Sequence, residues 1–255
     1  MKIELQGKTA LVTGGSAGIG RAIAVTLAAC GARVAVHYNS NREAAEETVR
    51  TIRQAGGEVE LFQGDLTDVT RVESMIKEIE SRMGGTVDIL VNNAGHLIGR
   101  VPSSDMSEEH YAKVLDVNFK SCVFVTKAVL PGMKAKGAGK IVNITSLAAH
   151  NGGGGGASIY AASKGAIMAY SKNLAKEAAA AGINVNSVSP GFIGQTAFHA
   201  TFTPDEARKA TIATIPLGRE GTPQDVANTV LFLASGLSDY LTGETIEVNG
   251  GMFMR

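Results

Sequence analysis

Short β-rich runs and helix-length segments alternate along almost the whole of this chain, and that rhythm restricts its fold more than any other feature. Thr9–Thr13 is strand-like and runs through a glycine-rich turn into a helix over about Ile19–Cys30. Arg33–Tyr38, Glu58–Gln63, Val87–Asn92, Lys140–Ile144, Asn184–Ser189 and Thr245–Val248 read as further strands. Helical segments fill the gaps at about Arg42–Ala55, Val69–Met83, Tyr111–Lys136, Ala157–Ala181 and Pro223–Ala234. Strands separated by helices must pair through right-handed crossovers, so the expected fold is α/β, a parallel sheet with helices on both faces. No linker or repeat divides residues 1–255, which are expected to form one domain. Residues 192–214 have little strand character and are expected to form a loop-plus-helix excursion, a candidate substrate lid. The one low-complexity piece is Gly152–Gly156, a loop before the Ala157 helix.

Composition narrows the function classes. Twenty-four basic and 24 acidic residues give a formal net charge of zero, which argues against a nucleic-acid footprint and against an acidic disordered chain. Cys30 and Cys122 are the only cysteines, both in apolar helix-like segments, and read as small buried hydrophobes. No metal ligand set is expected. No apolar run reaches the roughly 18 residues of a membrane span, and the start passes from a short charged lead into a strand without a signal-peptide pattern. A cytoplasmic protein is the expectation.

The turn Thr13–Gly20 (TGGSAGIG) follows the first strand and opens the first helix. Gly14, Gly18 and Gly20 let backbone approach a pyrophosphate, with Ser16 and Ile19 in the same turn. The helix N-terminus offers unpaired N–H groups and a positive dipole end. Taken alone this is also what a tight βα turn looks like. The second strand ends in His37-Tyr38-Asn39-Ser40-Asn41-Arg42, where an acid would hold an adenosine ribose and repel a 2′-phosphate. Without one, Tyr38, Asn39, Ser40 and Arg42 are candidate contacts and NADP is favoured over NAD. The bland alternative is that Arg42 starts a solvated helix and pairs with Glu46. Asp65 and Leu66, after the third strand, suit an adenine ring, although Asp65 equally suits a turn. Asn92, Asn93, Ala94 and Gly95 end the fourth strand, where small and amide residues could line a cofactor channel and tie strands together, or simply turn the chain.

Tyr160 and Lys164 begin a long helix, and a spacing of four puts both on one face. A tyrosine titrates near about 10, too high for a good base at neutral pH, and a nearby ammonium stabilises the phenolate. Ser146 closes a strand at its C-terminal end, where a hydroxyl could hold a substrate oxygen. Asn118 lies mid-helix, where Asn is a poor helix former. It reads as a functional residue, such as one holding a water in a relay to Lys164, or as an exposed or capping one. By themselves Tyr160 and Lys164 are a pair that chance supplies on many surface helices.

Gly14–Gly20, Asp65, Asn92–Gly95, Asn118, Ser146, Tyr160, Lys164 and Pro190-Gly191 together, in this order, resemble the short-chain dehydrogenase/reductase family over essentially the whole chain. The ending TGETIEVNGGMFM is similar to that of its 3-oxoacyl-(acyl-carrier-protein) reductase-like branch. The resemblance implies a single Rossmann-like, doubly wound domain with a seven-stranded parallel sheet, usually as a homotetramer. It implies Tyr160 as general acid/base, Lys164 lowering its pKa and gripping the nicotinamide ribose, Ser146 positioning a carbonyl, and Asn118 completing the relay. Asn92 would contact the cofactor, Pro190 and Gly191 would border it, and the Ile193 backbone would meet the carboxamide. Met252, Phe253 and Met254 would pack at a subunit interface.

The chain also departs from the branch. Gln195 stands where a cofactor-contacting Thr is usual, and Thr196 follows one residue late. The Ser146–Tyr160 gap is one residue longer, with Gly152–Gly156 as the slack. Residues 96–107 do not match the branch, so His96 and Arg100 are candidates to shape a different pocket, against the reading as exposed loop residues. Arg42 sits later than the basic residue usual in NADP users, which leaves NAD open. The expected reaction is carbonyl–alcohol interconversion on a small molecule, in the first instance NADPH-dependent reduction of a 3-oxoacyl thioester or related ketone. A basic patch (Arg100, Lys134, Lys136) would favour a carrier-bound thioester. A closed polar pocket near His96, Asn151, Gln195 and His199 would favour a sugar, polyol or small-alcohol dehydrogenase. The reading outside enzymes is a nucleotide-sensing protein on the same fold.

Overall fold

The structure, a computed structural model, describes residues 3–196 and 204–254. Its strands are β1 (Thr9–Val12), β2 (Arg33–Tyr38), β3 (Val59–Gln63), β4 (Ile89–Asn92), β5 (Gly139–Ile144), β6 (Ile183–Pro190) and β7 (Thr245–Val248). They form one sheet in the order β3-β2-β1-β4-β5-β6-β7, and every pairing is parallel. This is the Rossmann-like, doubly wound sheet that the sequence leads one to expect. The order reverses between β1 and β4, and a crevice opens beyond the carboxyl ends of strands at such a point.

The strands read as near-continuous apolar runs because both sheet faces are covered. Period-two alternation divides them between two cores. Ala10, Val12, Ile89 and Val91 face one layer, while Leu11 and Leu90 face the other. The first core takes Ile23 and Leu27 of α1 (Gly18–Ala29), Val49 and Ile52 of α2 (Arg42–Gln54), and Val226, Val230 and Leu233. The second takes Val72, Met75 and Ile79 of α3 (Val69–Arg82), with Val125, Val129, Met133, Leu174 and Ala178.

The expected helix over 111–136 is three pieces. α4 (Glu108–Leu115) starts earlier because Ser107 caps it, its side chain accepting from His110 N. A π-helical turn, Asp116–Lys120, follows, and α5 (Ser121–Lys136) resumes the α-helix. A short α6 (Ala148–Asn151) precedes α7 (Ser158–Ala179). In the expected excursion lies α8 (Asp205–Ala213), while residues 197–203 are outside the described residues. α9 (Pro223–Ala234) opens on a reciprocal Thr222–Asp225 capping box with proline just inside. Cys122 is buried, and burial pushes its thiol up to about 12. Cys30, expected to be buried, is only partly so.

Candidate active site

A cleft of about 850 Å³ opens at the carboxyl end of the sheet, with Gly14, Gly18, Gly95, Ser146, Tyr160, Lys164 and Ile193 among its walls. A second hollow, of about 760 Å³, lies at the opposite end around Lys8, Asp88 and Lys140. It is away from the switch point.

The glycine turn is held from two sides. Gly14 N donates to His37 Nδ1 (3.1 Å), and Gly15 N to the His37 carbonyl (2.8 Å). Because Nδ1 accepts, the ring proton is on Nε2, which donates to the Gly64 carbonyl at 2.9 Å. Burial pulls His37 down to about 4, so the imidazole is neutral at ordinary pH. Just beyond β4, Asn93 Nδ2 donates to the carbonyls of Thr13 (2.9 Å) and Gly14 (3.1 Å). Gly14 and Gly18 have φ of +62° and +52°, and a Cβ on Gly20 would fall 2.1 Å from the Gly14 carbonyl oxygen. Ala17 at the N-cap of α1 provides no capping side chain, and the first turn carries no acid. Uncapped N–H groups at a helix start beside a glycine turn suit a pyrophosphate, so the residues present fit a dinucleotide. His37 did not stand out in the sequence as a site residue, and Asn93 did so only as part of the run Asn92–Gly95. A histidine closing an apolar strand was the one available signal.

Other expected cofactor contacts are placed less uniformly. Tyr38 is buried, and Asn39 and Ser40 are exposed beyond it. Arg42 pairs with Glu46 at 2.7 Å on an exposed face, the bland arrangement, and no acid stands at the end of β2. Asp65 Oδ1 accepts from Thr67 N (2.9 Å) and Oγ1 (2.8 Å), which is turn geometry. Leu66 is buried in the second core. Asn92 corrects an expectation: its side chain is buried, and Nδ2 donates to Thr126 Oγ1 (2.9 Å) and Asn143 Oδ1 (2.8 Å). It ties β4 to β5 and α5, and Asn93, Ala94 and Gly95 face the cleft in its place. Pro190, Gly191 and Ile193 also line the cleft. Gln195 takes a left-handed φ of +56°. Thr196 lines the cleft, its Cγ2 lying 3.6 Å from where a Cβ on Gly18 would be. The late threonine therefore still reaches the phosphate turn.

Tyr160, Lys164 and Ser146 meet in the middle of the cleft. Lys164 is 3% exposed. Its Nζ donates to the Ile144 carbonyl (3.0 Å) and lies 5.7 Å from the Tyr160 ring centroid. Burial lowers Lys164 to about 8. For Tyr160 burial is the largest influence and raises the phenol, while a hydrogen bond with Ser146 pulls it down. The expected lowering by the ammonium is thus not what dominates in the unliganded protein, because the ring is desolvated. Asn118 is buried, neither exposed nor a cap. It donates through Nδ2 to the carbonyls of His96 (2.7 Å) and Val114 (2.8 Å), and its Oδ1 accepts from His96 N (3.1 Å). It lies in the π-helical turn and holds the strand exit at His96. Gly95 must be small, since a Cβ there would sit 2.6 Å from Asn118 Oδ1 and 3.0 Å from Lys164 Nζ.

At the far end are His96, Arg100 and Asn151. Arg100 and Lys136 do not form the basic cluster that would favour a carrier-bound thioester. Lys136 pairs with Asp88, just before β4 begins, and so lies at the opposite end of the sheet from Arg100. His199 lies outside the described residues. α8 is tied to the segment leading into α9 by Arg208 Nε, which donates to Glu220 Oε2 at 2.8 Å. Among the described residues no helix is long and apolar enough to cross a membrane, and no cluster of three potential metal ligands occurs.

The family model described as Enoyl-(Acyl carrier protein) reductase matches residues 14–253. The chain is 41% identical over 251 residues to a 3-oxoacyl-(acyl-carrier-protein) reductase of Staphylococcus aureus (strain Mu50), covering 97% of this chain and 98% of that protein. Its structure is similar to that of a protein from Sinorhizobium meliloti 1021 described as a short-chain alcohol dehydrogenase, with a TM-score of 0.93, 36% identity, and coverage of 99% and 98%. It is equally similar to a protein from Beutenbergia cavernae described as an NAD(P)-dependent gluconate 5-dehydrogenase with bound NADP, at a TM-score of 0.92, 36% identity, and 99% coverage of each chain.

Proposed function

The chain belongs to the short-chain dehydrogenase/reductase family, and on that footing we propose that it reduces a ketone to a secondary alcohol with NADPH, its substrate a 3-oxoacyl thioester or a related oxo compound. The observation that carries this reading is the meeting of Ser146, Tyr160 and Lys164 in a cleft whose other wall is the glycine turn. The name of the matching model refers to reduction of a carbon–carbon double bond. A serine and a tyrosine hydroxyl side by side suit a carbonyl oxygen, which both can hydrogen-bond.

NADPH supplies the hydride when bound. Gly14, Ser16, Gly18, Ile19 and Gly20 would hold its pyrophosphate, and Tyr38, Asn39, Ser40 and Arg42 the adenosine side, where a 2′-phosphate would draw Arg42 from Glu46. Asp65 and Leu66 would border the adenine. Ala94, Gly95, Pro190, Gly191 and Ile193 would border the nicotinamide end. Ser146 orients the substrate carbonyl. The Tyr160 hydroxyl donates its proton to the oxygen as the adjacent carbon becomes tetrahedral, leaving a phenolate. Lys164 stabilises that phenolate, grips the ribose and returns a proton to it, with the Asn118 turn as the outer part of the relay. Residues 192–214, with α8 latched by Arg208 and Glu220, serve as the lid of a single domain. We further propose a homotetramer whose interface includes the tail at Met252, Phe253 and Met254, and a cytoplasmic location.

The test is NADPH oxidation with methyl 3-oxobutanoate and with a 3-oxoacyl N-acetylcysteamine thioester. Tyr160→Phe should cut kcat by about 10²–10⁴-fold, the usual range for a general acid, with NADPH binding retained. Unchanged turnover in that variant would sink the mechanism, and a wild-type protein that binds NADPH but reduces no carbonyl would point to nucleotide sensing.

A further inference from the structure

Beyond the reacting carbonyl, we infer that Arg100 is the residue that selects a substrate carrying its own carboxylate, which makes this enzyme's preferred class small oxo acids and hydroxy acids. The inference rests on the carbonyl-reductase reading above and specifies its substrate.

Arg100 lies on the wall of the catalytic cleft. The glycine-rich loop beside it is shaped around this side chain. A Cβ on Gly154 would come within 3.0 Å of Nη1, and one on Gly156 within 3.0 Å of the Arg100 Cβ and 2.8 Å of Val101 N. Gly156 also has a φ of +74°, which favours glycine. Two glycines of the run that looked like slack thus lie against Arg100, Gly154 against the guanidinium and Gly156 against the backbone and Cβ. Arg100 is exposed, and its Nη1 donates to the Gly155 carbonyl at 3.0 Å, which uses one of its five N–H donors. Among the described residues no carboxylate lies within ion-pairing distance of it, a condition it shares with Arg21, Arg33 and Arg53, whose head groups bond carbonyl or hydroxyl oxygens.

The position of the cation relative to the chemistry is also set. Val101 N donates to the Gly156 carbonyl (3.0 Å), and Ser103 Oγ bonds Ser158 Oγ (3.4 Å). These bonds zip the Arg100 segment onto the start of α7, the helix that carries Tyr160 two residues further on. On the other side, Asn118 grips both backbone polar groups of His96. A planar fork of donors on a braced segment, in the same cleft as the proton donor, is the chemistry that recognises a carboxylate.

The experiment is calorimetric binding to the NADP⁺-saturated enzyme of 3-oxobutanoate, 4-oxopentanoate and 5-oxohexanoate, each beside its methyl ester. The expected result is that, at one chain length at least, wild type binds the acid about 10–100-fold more tightly than the ester, the scale of hydrogen bonds to a charged group. Arg100→Gln should bring that ratio close to one, and Arg100→Lys, which keeps the charge but loses the fork, should leave an intermediate ratio. If no acid outbinds its ester, or if the preference survives in both variants, the inference is wrong. Because binding is read without turnover, this failure is separate from failure of the reductase reading, which NADPH oxidation with the neutral esters decides.

Discussion

Two influences oppose one another at Tyr160: burial favours the neutral phenol, and the Ser146 hydrogen bond favours the phenolate. The buried ammonium of Lys164 is the group that can tip this balance during turnover. Replacing Lys164 by Met should move the acid limb of the pH profile for alcohol oxidation to higher pH, since loss of a positive charge disfavours the phenolate. It should also lower kcat at pH 7 by about 10²–10⁴-fold. An unmoved limb would remove Lys164 from this role. His37 makes a second residue-scale prediction. Its folded-state value of about 4 lies below the ordinary 6.5, so between those pH values the unfolded chain binds more protons. Stability conferred by the neutral ring is complete above about pH 6.5 and declines as pH falls toward about 4, by about 3 kcal/mol over that window. Urea unfolding of His37→Gln should show a flatter acid-side dependence than wild type. An equal slope in the two proteins would show that another group governs it.

At the scale of elements, the helix that carries the catalytic pair is registered on the sheet by a buried polar ladder. Asn92 Nδ2 donates to Asn143 Oδ1, Asn143 Nδ2 to Ser171 Oγ (2.8 Å), and Ser187 Oγ bonds Ser171 Oγ (3.1 Å). The ladder runs from β4 through β5 to α7 and β6. It gives an otherwise slippery apolar contact a fixed register, since each rung is satisfied in one alignment. Asn143→Leu strands one Asn92 Nδ2 hydrogen, the other still going to Thr126, while Ser171 Oγ keeps its bonds with Ser187 and Ile167. We expect a loss of about 1–3 kcal/mol in urea unfolding, the cost of one stranded buried donor. A loss smaller than 1 kcal/mol would show that the ladder is not what aligns α7.

At the scale of the molecule, Ile98, Tyr111, Leu217, Leu237, Tyr240 and Met254 are the large apolar side chains left exposed among the described residues, and two of them lie beside the tail. Leu217 and Met254 are 70% and 74% exposed. Leu217 N bonds the Gly250 carbonyl (3.1 Å), and Phe253 stacks on His150 with centroids 4.4 Å apart. A second copy of the chain is the proposed cover. Leu217→Glu with Met254→Glu should therefore lower the mass found by light scattering below that of the wild-type assembly, and an unchanged mass would exclude this face. The sheet was legible in the sequence because both-face burial writes each parallel strand as an apolar run, and the motif residues at strand ends followed from that sheet. What stayed hidden depends on contacts between distant segments. Nothing local marks Asn92 as turned inward and Asn93 as turned outward, or shows that His37 reaches Gly14. That Gly154 and Gly156 lie against Arg100 could not be read from the run itself.

The π-helical turn at Asp116–Lys120 also sets which way Asn118 faces. Its closing bond runs from Ser121 N to the Asp116 carbonyl, one residue beyond the α-helical reach, so the turn amounts to one extra residue lodged in one long helix. A chain shortened by that residue would run straight from α4 into α5, with everything after the gap rotated by about 100° about the helix axis. One residue more or fewer at this turn would therefore decide whether Asn118 reaches His96 and braces the strand exit.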